Sequence, residues 1–231
     1  MAILVIAHRG ASAEQPENTL GAFRRALQLG VDGIELDVRV TRDGVPVVCH
    51  DASLRRLTGW RRRVDAATWA EIRARRIRGT ATIPRLVTVL RLTRGRAVVQ
   101  IEIKPGVPVG PVVRAVQAAR ARSGVILASF SLRVLRSARK LAPGLPRMLI
   151  DVGSAPPSVL VRRLAAVGAA GLSVNWQAVT SAGLVRHFQR RGFSVWAWTV
   201  NRPADMRRLA RRGVAALLSD DPALLQRTLR A

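Results

Sequence analysis

Histidines, acids and bases recur at one kind of place in this chain, the end of a short apolar run. Ala2 to Ala7 leads straight into His8-Arg9-Gly10, and Gly33-Ile34-Glu35-Leu36-Asp37 carries two acids one residue apart. Val45-Pro46-Val47-Val48-Cys49 ends at His50-Asp51, and Val98 to Ile103 places Glu102 just before Lys104. In a β-strand, alternate side chains project from the same face. Glu35 and Asp37 therefore share a face, as do Glu102 and Lys104. A buried charge is costly unless it is paired or bound to a metal. These groups are expected to converge on one site.

Three carboxylates are hard oxygen donors, suited to Mg²⁺ or Ca²⁺ and wrong for a structural zinc. Ion pairing with arginines is the competing account. The metal expectation rests on the mutual repulsion of three acids at one mouth unless a cation lies between them. His8 and His50 can move protons near neutral pH. A buried histidine can also simply be satisfied by a backbone carbonyl, but two beside carboxylates and Arg9 point to acid–base catalysis. Arg9 and Lys104 offer fixed positive charge, either for phosphate oxygens or to balance the acids. Trp198 and Trp196 share one face of their run. Trp198, nearer the run's end, is expected against an apolar part of a substrate, and Trp196 in the core. His187 lies in a helical stretch and is expected to face solvent. Cys49, the lone cysteine, alternates with His50 and is expected to be a small core residue.

The elements that must position these groups alternate regularly. Strands are expected starting near 2 and 33, then at 97–103, 125–130, 147–151, 171–175, 194–199 and 214–218. Helices fit between them, from Leu20 to Leu27 with Asn18 or Thr19 as N-cap and Gly30 at the C-terminus, and over 86–92, 109–121, 132–141, 157–167, 180–191, 204–211 and 221–229. Arg42-Asp43-Gly44 should turn 38–41 and 45–49 into a hairpin. Residues 53–79 break the rhythm and are expected to form a turn and short helix over the mouth. Eight β/α units predict an α/β fold, a closed parallel (β/α)8 barrel in one domain over 1–231 with a small insert after the second strand. An open doubly wound sheet is the alternative, but no G-x-G-x-x-G follows the first strand. In such barrels the site lies at the C-terminal ends of the strands. His8, Glu35, Asp37, Glu102, Lys104, Ser129, Asn175, Thr199 and Asp220 all fall there.

The 231 residues are 48% hydrophobic and carry a formal charge of +25, nearly all of the basic excess being arginine. That composition is expected of a GC-rich genome more than of dedicated polyanion binding. Nucleic acid is not an expected partner, because aromatics are few and the arginines scatter as doublets. The charge of the 53–79 stretch suits weak contact with an anionic membrane surface, with a solvated helix face as the competing account. No apolar run approaches membrane-spanning length and a lone cysteine forms no intramolecular disulfide, so a cytoplasmic location is expected. The sequence sets no oligomeric state.

Taken in order, His8-Arg9-Gly10, Pro16-Glu17-Asn18-Thr19, Glu35-Leu36-Asp37, Thr41-Arg42-Asp43-Gly44, His50-Asp51, Glu102-Ile103-Lys104, Ser129-Phe130, Trp198-Thr199-Val200-Asn201 and Ser219-Asp220-Asp221-Pro222 resemble the glycerophosphodiester phosphodiesterase family. The resemblance covers almost the whole chain. It implies a TIM-type barrel, one divalent cation on Glu35, Asp37 and Glu102, His8 and His50 as acid and base, and Arg9 and Lys104 on the phosphate. The expected reaction is attack of a glycerol hydroxyl on phosphorus. One histidine takes the proton, the other protonates the departing alcohol, and water then opens the cyclic phosphate. The products would be sn-glycerol 3-phosphate and an alcohol such as choline or ethanolamine. Two alternatives stand beside it. One is lysophospholipase D or sphingomyelinase D-like action on lipids, which Trp60, Trp69 and the basic stretch favour. The other is a non-catalytic basic protein that binds polyanions or membranes, which has no need of the acids and histidines.

Overall fold

A computed structural model describes residues 2–153 and 155–230. Among these residues, eight parallel strands close into a barrel: β1 (Leu4–His8), β2 (Gly33–Val40), β4 (Val98–Ile103), β5 (Val125–Ser129), β6 (Arg147–Asp151), β7 (Gly171–Asn175), β8 (Ser194–Trp198) and β9 (Ala216–Ser219). Closure comes from β1, which pairs with β2 on one side and β9 on the other. The short β3 (Pro46–Val48) pairs antiparallel with the end of β2, which is the expected hairpin. The helices that follow the strands pack outside: α1 (Leu20–Gln28), α4 (Leu86–Thr93), α5 (Val109–Ala118), α6 (Leu132–Leu141), α7 (Pro157–Val167), α8 (Ala182–Gln189), α9 (Pro203–Arg212) and α10 (Pro222–Arg230). The last strand begins two residues later than expected, at Ala216. No described helix is long and apolar enough to cross a membrane.

Strand parity divides the core into two layers and decides what faces the site. Val5, Ala7, Ile34, Leu36, Val99, Ile101, Ile103, Leu127 and Val174 belong to the layer between barrel and helices. Ile6, Ala128, Met148, Ile150, Trp196, Ala216 and Leu218 fill the barrel interior. Alternation then forces His8, Glu35, Asp37, Gln100 and Glu102 inward, because their neighbours are committed outward. Register sets them side by side: His8 pairs with Glu35, and Asp37 with Glu102. Trp196 is core as expected, its indole nitrogen donating to Ser194.

The first β/α loop is held tightly. Thr19 is the N-cap of α1, accepting from the Ala22 amide. Gly10 has φ +84°, and a Cβ there would lie 2.7 Å from the Ala22 backbone. Gly10→Ala should therefore destabilise the fold by at least about 1–3 kcal/mol, the usual scale of left-handed strain in a non-glycine residue. Chemical denaturation measures this, and a midpoint equal to the parent's would contradict it.

Residues 53–79 reach the rim only through Arg56 and line no part of the pocket, so they do not form the expected cover over the mouth. They form α2 (Arg55–Thr58), a 3₁₀ turn at Val64–Ala66 and α3 (Trp69–Arg73). Leu54, Val64, Ala67, Ile72 and Ile77 bury themselves with Val47 and Cys49 of the hairpin and with Ile83 in a second small core. The insert thus lies against the hairpin, whose Val47 and Cys49 complete its small core. Trp60 and Trp69 pack on that core with Arg75 and Arg85 over their rings. They line no part of the central pocket. Cys49 is buried there as expected, and burial pushes its thiol up to about 12.

Candidate active site

A pocket of about 130 Å³ opens at the C-terminal ends of the strands. Its lining includes His8, Arg9, Glu35, His50, Glu102, Lys104 and Trp198, with Gln100 and Ser173 among the polar groups. Asp37 lies just behind, in contact with Arg9 and Lys104. All eight residues singled out in the sequence for catalysis, substrate or metal therefore gather in one place. Two of the other polar strand-end groups behave differently, and a third does not. Ser129 bonds to the Ile103 carbonyl, and Asn175 caps the turn that follows β7. Thr199 reaches the pocket. Parity explains Ser129, since Ala128 faces the barrel interior and its neighbour must face out. His187 is half-buried with its ring edge against Phe188, not solvent-facing.

Glu35, Asp37 and Glu102 each offer one carboxylate oxygen, and the three lie within 4.8 Å of one another. All three are buried, Asp37 to 1% exposure. Lys104 Nζ sits 2.6 Å from Asp37 Oδ1 and 2.5 Å from Glu102 Oε1. Arg9 Nε is 3.2 Å from Asp37 Oδ2, and another Arg9 nitrogen donates to Glu17 at 3.0 Å. The two cations therefore offset Asp37 and part of the charge on Glu102. Asn18, whose φ of +59° turns it inward, donates to Asp37 Oδ2 at 2.8 Å.

Burial, reinforced by Asp37 close by, pushes the Glu35 carboxyl up to about 8. Glu102 is raised for the same two reasons, against the opposing pull of Lys104. Burial works to raise Asp37 too, but Lys104 and Arg9 overcome it and hold that carboxyl near 2. With all three acids ionised, three negative charges would face only the two positive charges of Lys104 and Arg9, and this, on top of burial, is why Glu35 and Glu102 resist ionising. A divalent cation supplies what is missing, so the donor set fits a hard ion.

The sign of this arrangement gives a prediction for the chelated protein. The Glu35 pKa is raised, so the stability its proton confers is full below the unfolded value of 4.5 and is lost as pH rises through about 8. Thermal unfolding followed by circular dichroism should show the midpoint falling by several degrees across that window. A flat or rising midpoint would contradict the burial of these acids.

Each histidine has its Nδ1 on a carboxylate. His8 Nδ1 is 2.6 Å from Asp220 Oδ1, and His50 Nδ1 is 2.7 Å from Asp51 Oδ1. His8 Nε2 lies 3.8 Å from Glu35 Oε2. Burial alone would lower the His8 pKa, but the Asp220 hydrogen bond and the Glu35 charge raise it overall. Burial would likewise raise Asp220, yet its bond to His8 holds it near 2. Ser12 and Asn201 also donate to Asp220 and fix it. Trp198 packs edge-on to Phe130 with ring centres 5.9 Å apart, making an apolar wall opposite the charges.

Sequence reasoning assigned no site role to Asp220, Asp51, Glu17 or Asn18. Asp220 was visible as a strand-end acid, but its pairing with His8 needs the barrel closed. Asn18 was legible only as a possible helix cap.

This arrangement has close counterparts. The model of the glycerophosphoryl diester phosphodiesterase family matches residues 8–224. A glycerophosphodiester phosphodiesterase from Caldanaerobacter subterraneus is 35% identical, over 97% of each chain. Among solved structures, a glycerophosphodiester phosphodiesterase from Agrobacterium tumefaciens superposes with a TM-score of 0.86 at 30% identity, over 97% of this chain and 99% of that one. An Oleispira antarctica phosphodiesterase, solved in complex with the product sn-glycerol-3-phosphate, gives 0.89 at 27% identity, over 99% of this chain and 97% of that one. A family match over residues 8–224 and a relative 35% identical over 97% of each chain mean that the chain belongs to the glycerophosphoryl diester phosphodiesterase family.

Proposed function

We propose that this family member hydrolyses glycerophosphodiesters, such as glycerophosphocholine or glycerophosphoethanolamine, to sn-glycerol 3-phosphate and the free alcohol. The observation that carries the reading is the buried carboxylate triad opening onto the same pocket as two carboxylate-anchored histidines. The product bound to the Oleispira antarctica relative supports the glycerol phosphate half of the substrate. Glu35, Asp37 and Glu102 would hold one divalent cation, Mg²⁺ or Ca²⁺. When bound, such an ion polarises phosphoryl oxygen and lowers the pKa of a nearby hydroxyl or water.

The remaining work belongs to the side chains. Asp220 and Asp51 accept from Nδ1 of His8 and His50, which leaves each Nε2 to handle a substrate proton. One histidine takes the proton of a glycerol hydroxyl as that oxygen attacks phosphorus, and the other gives a proton to the departing alcohol oxygen. The resulting cyclic phosphate is opened by water, with each histidine reversing its role so that both return to their starting states. Arg9 and Lys104 line the same pocket beside the acids, where they would stabilise charge on the phosphoryl oxygens. Trp198 and Phe130 provide an apolar wall for carbon-bearing parts of the substrate.

Lipid phosphodiesters define the competing substrate class. Of its support in the sequence, Trp60 and Trp69 pack against the insert's own core and line no part of the pocket, which leaves the basic stretch at 53–79. Assaying glycerophosphocholine, lysophosphatidylcholine and sphingomyelin side by side tests the choice. Turnover of the deacylated diester well above the other two is expected, and a preference for either lipid would overturn it.

A further inference from the structure

The insert sends one side chain towards the rim that the chemistry above does not use. Arg56, on α2, places Nε 2.5 Å from Asp51 Oδ2, and its two terminal nitrogens each donate to Glu17 at 2.9 Å. Both acids have second partners within the site. Asp51 Oδ1 holds His50 Nδ1 at 2.7 Å, and Glu17 Oε1 accepts from Arg9 at 3.0 Å. Arg9 continues to Asp37. A single guanidinium thus joins His50, beside the hairpin, to Arg9, at the end of β1, through an unbroken chain of charged contacts. A planar fork with fixed donors can grip two carboxylates at once, which a lysine's point charge cannot do in the same geometry.

An ion pair at the surface adds little to stability, and the Arg56 side chain is 49% exposed. What it fixes is orientation. A carboxylate held as acceptor keeps the proton of its histidine on Nδ1 and the Nε2 lone pair toward the pocket. Asp51 sits on a loop just past β3, and among its described contacts Arg56 is the one cation other than His50 that restrains it. Removing Arg56 frees that carboxylate to turn toward water.

We propose that Arg56 is a positioning residue that sets both edges of the site. Through Asp51 it holds His50 with its proton on Nδ1, and through Glu17 it holds the Arg9 guanidinium at the rim. This rests on the reading of His50 as an acid–base group, and the test below separates the two.

The experiment compares the parent protein with Arg56→Ala and Arg56→Lys, each loaded with Mg²⁺ and labelled with ¹⁵N-histidine. Long-range ¹H–¹⁵N spectra report the tautomer of each ring, and steady-state assays on glycerophosphocholine report kcat and KM. The parent should show His50 protonated on Nδ1. Arg56→Ala should shift it toward a mixture with the Nε2 form, with kcat down about tenfold or more, the direction known when a histidine loses its orienting acid. KM should rise as Arg9 loosens, with the thermal midpoint nearly unchanged. Arg56→Lys should recover only part of kcat. In the Asp51→Asn background, Arg56→Ala should lower kcat little further. A His50 that stays on Nδ1 in Arg56→Ala overturns the proposal, whatever kcat does. A tautomer shift with kcat unchanged supports the positioning role and removes His50 from the acid–base chemistry instead.

Discussion

Replacing Glu35 with glutamine should abolish turnover by about 10³-fold or more while leaving the fold intact, because a cation contributes several kcal/mol of transition-state charge stabilisation. The substitution keeps the shape of the side chain and removes one anionic donor from the triad. Its effect on stability should be small or even favourable without metal. Burial and Asp37 already push the Glu35 carboxyl up to about 8, so at neutral pH it is mostly protonated and the neutral amide resembles it. The parent should gain thermal stability on adding Mg²⁺ or Ca²⁺, and the variant should not. Coupled release of sn-glycerol 3-phosphate measures the first effect and differential scanning fluorimetry the second. Near-parental activity in Glu35→Gln would remove the triad from the reaction.

The second large effect is expected at the histidines. His8→Ala and His50→Ala should each lower kcat by about 10²–10⁴-fold, the usual worth of general acid–base catalysis. If the two act in one proton relay, the double variant should lose far less than the product of the single losses. Asp220→Asn is the finer probe. It preserves volume while replacing the charged acceptor at His8 Nδ1, so kcat should fall with KM little changed. Single-variant kcat values within about threefold of the parent would place either histidine outside the chemistry, since even the low end of general acid–base catalysis exceeds that.

Much of this was legible because a strand in a closed barrel has only two faces. Ile34, Leu36, Ile101 and Ile103 are apolar and must meet the helices, which leaves Glu35, Asp37 and Glu102 no direction but inward. The same parity argument fails where only one strand-end residue is considered in isolation. Ser129 follows Ala128, which faces in, so Ser129 faces out and serves the Ile103 carbonyl. The insert's arginines and tryptophans do not decide where it packs; Leu54, Val64, Ile72 and Ile77 do. His187 was expected in solvent from its basic neighbour, yet its position one turn before Arg191 and beside Phe188 half-buries the ring.

The partners of the histidines mark where one-dimensional reasoning stops. His8 and Asp220 are 212 positions apart, and only the pairing of Ala7 with Ser219 across the closing seam brings them together. No local pattern encodes that register. Arg56 likewise stands among many arginines, and nothing in its spacing separates it from Arg55 or Arg61. It is distinguished by the reach of α2 back to Glu17 and Asp51.

The most direct trial of the account is glycerol phosphate release from glycerophosphocholine by protein stripped of metal with a chelator and then titrated with Mg²⁺, Ca²⁺ or Mn²⁺. Activity should be absent after stripping, return as one equivalent of ion binds, and stay absent in Glu35→Gln at any ion concentration. Undiminished release by the stripped protein would contradict it.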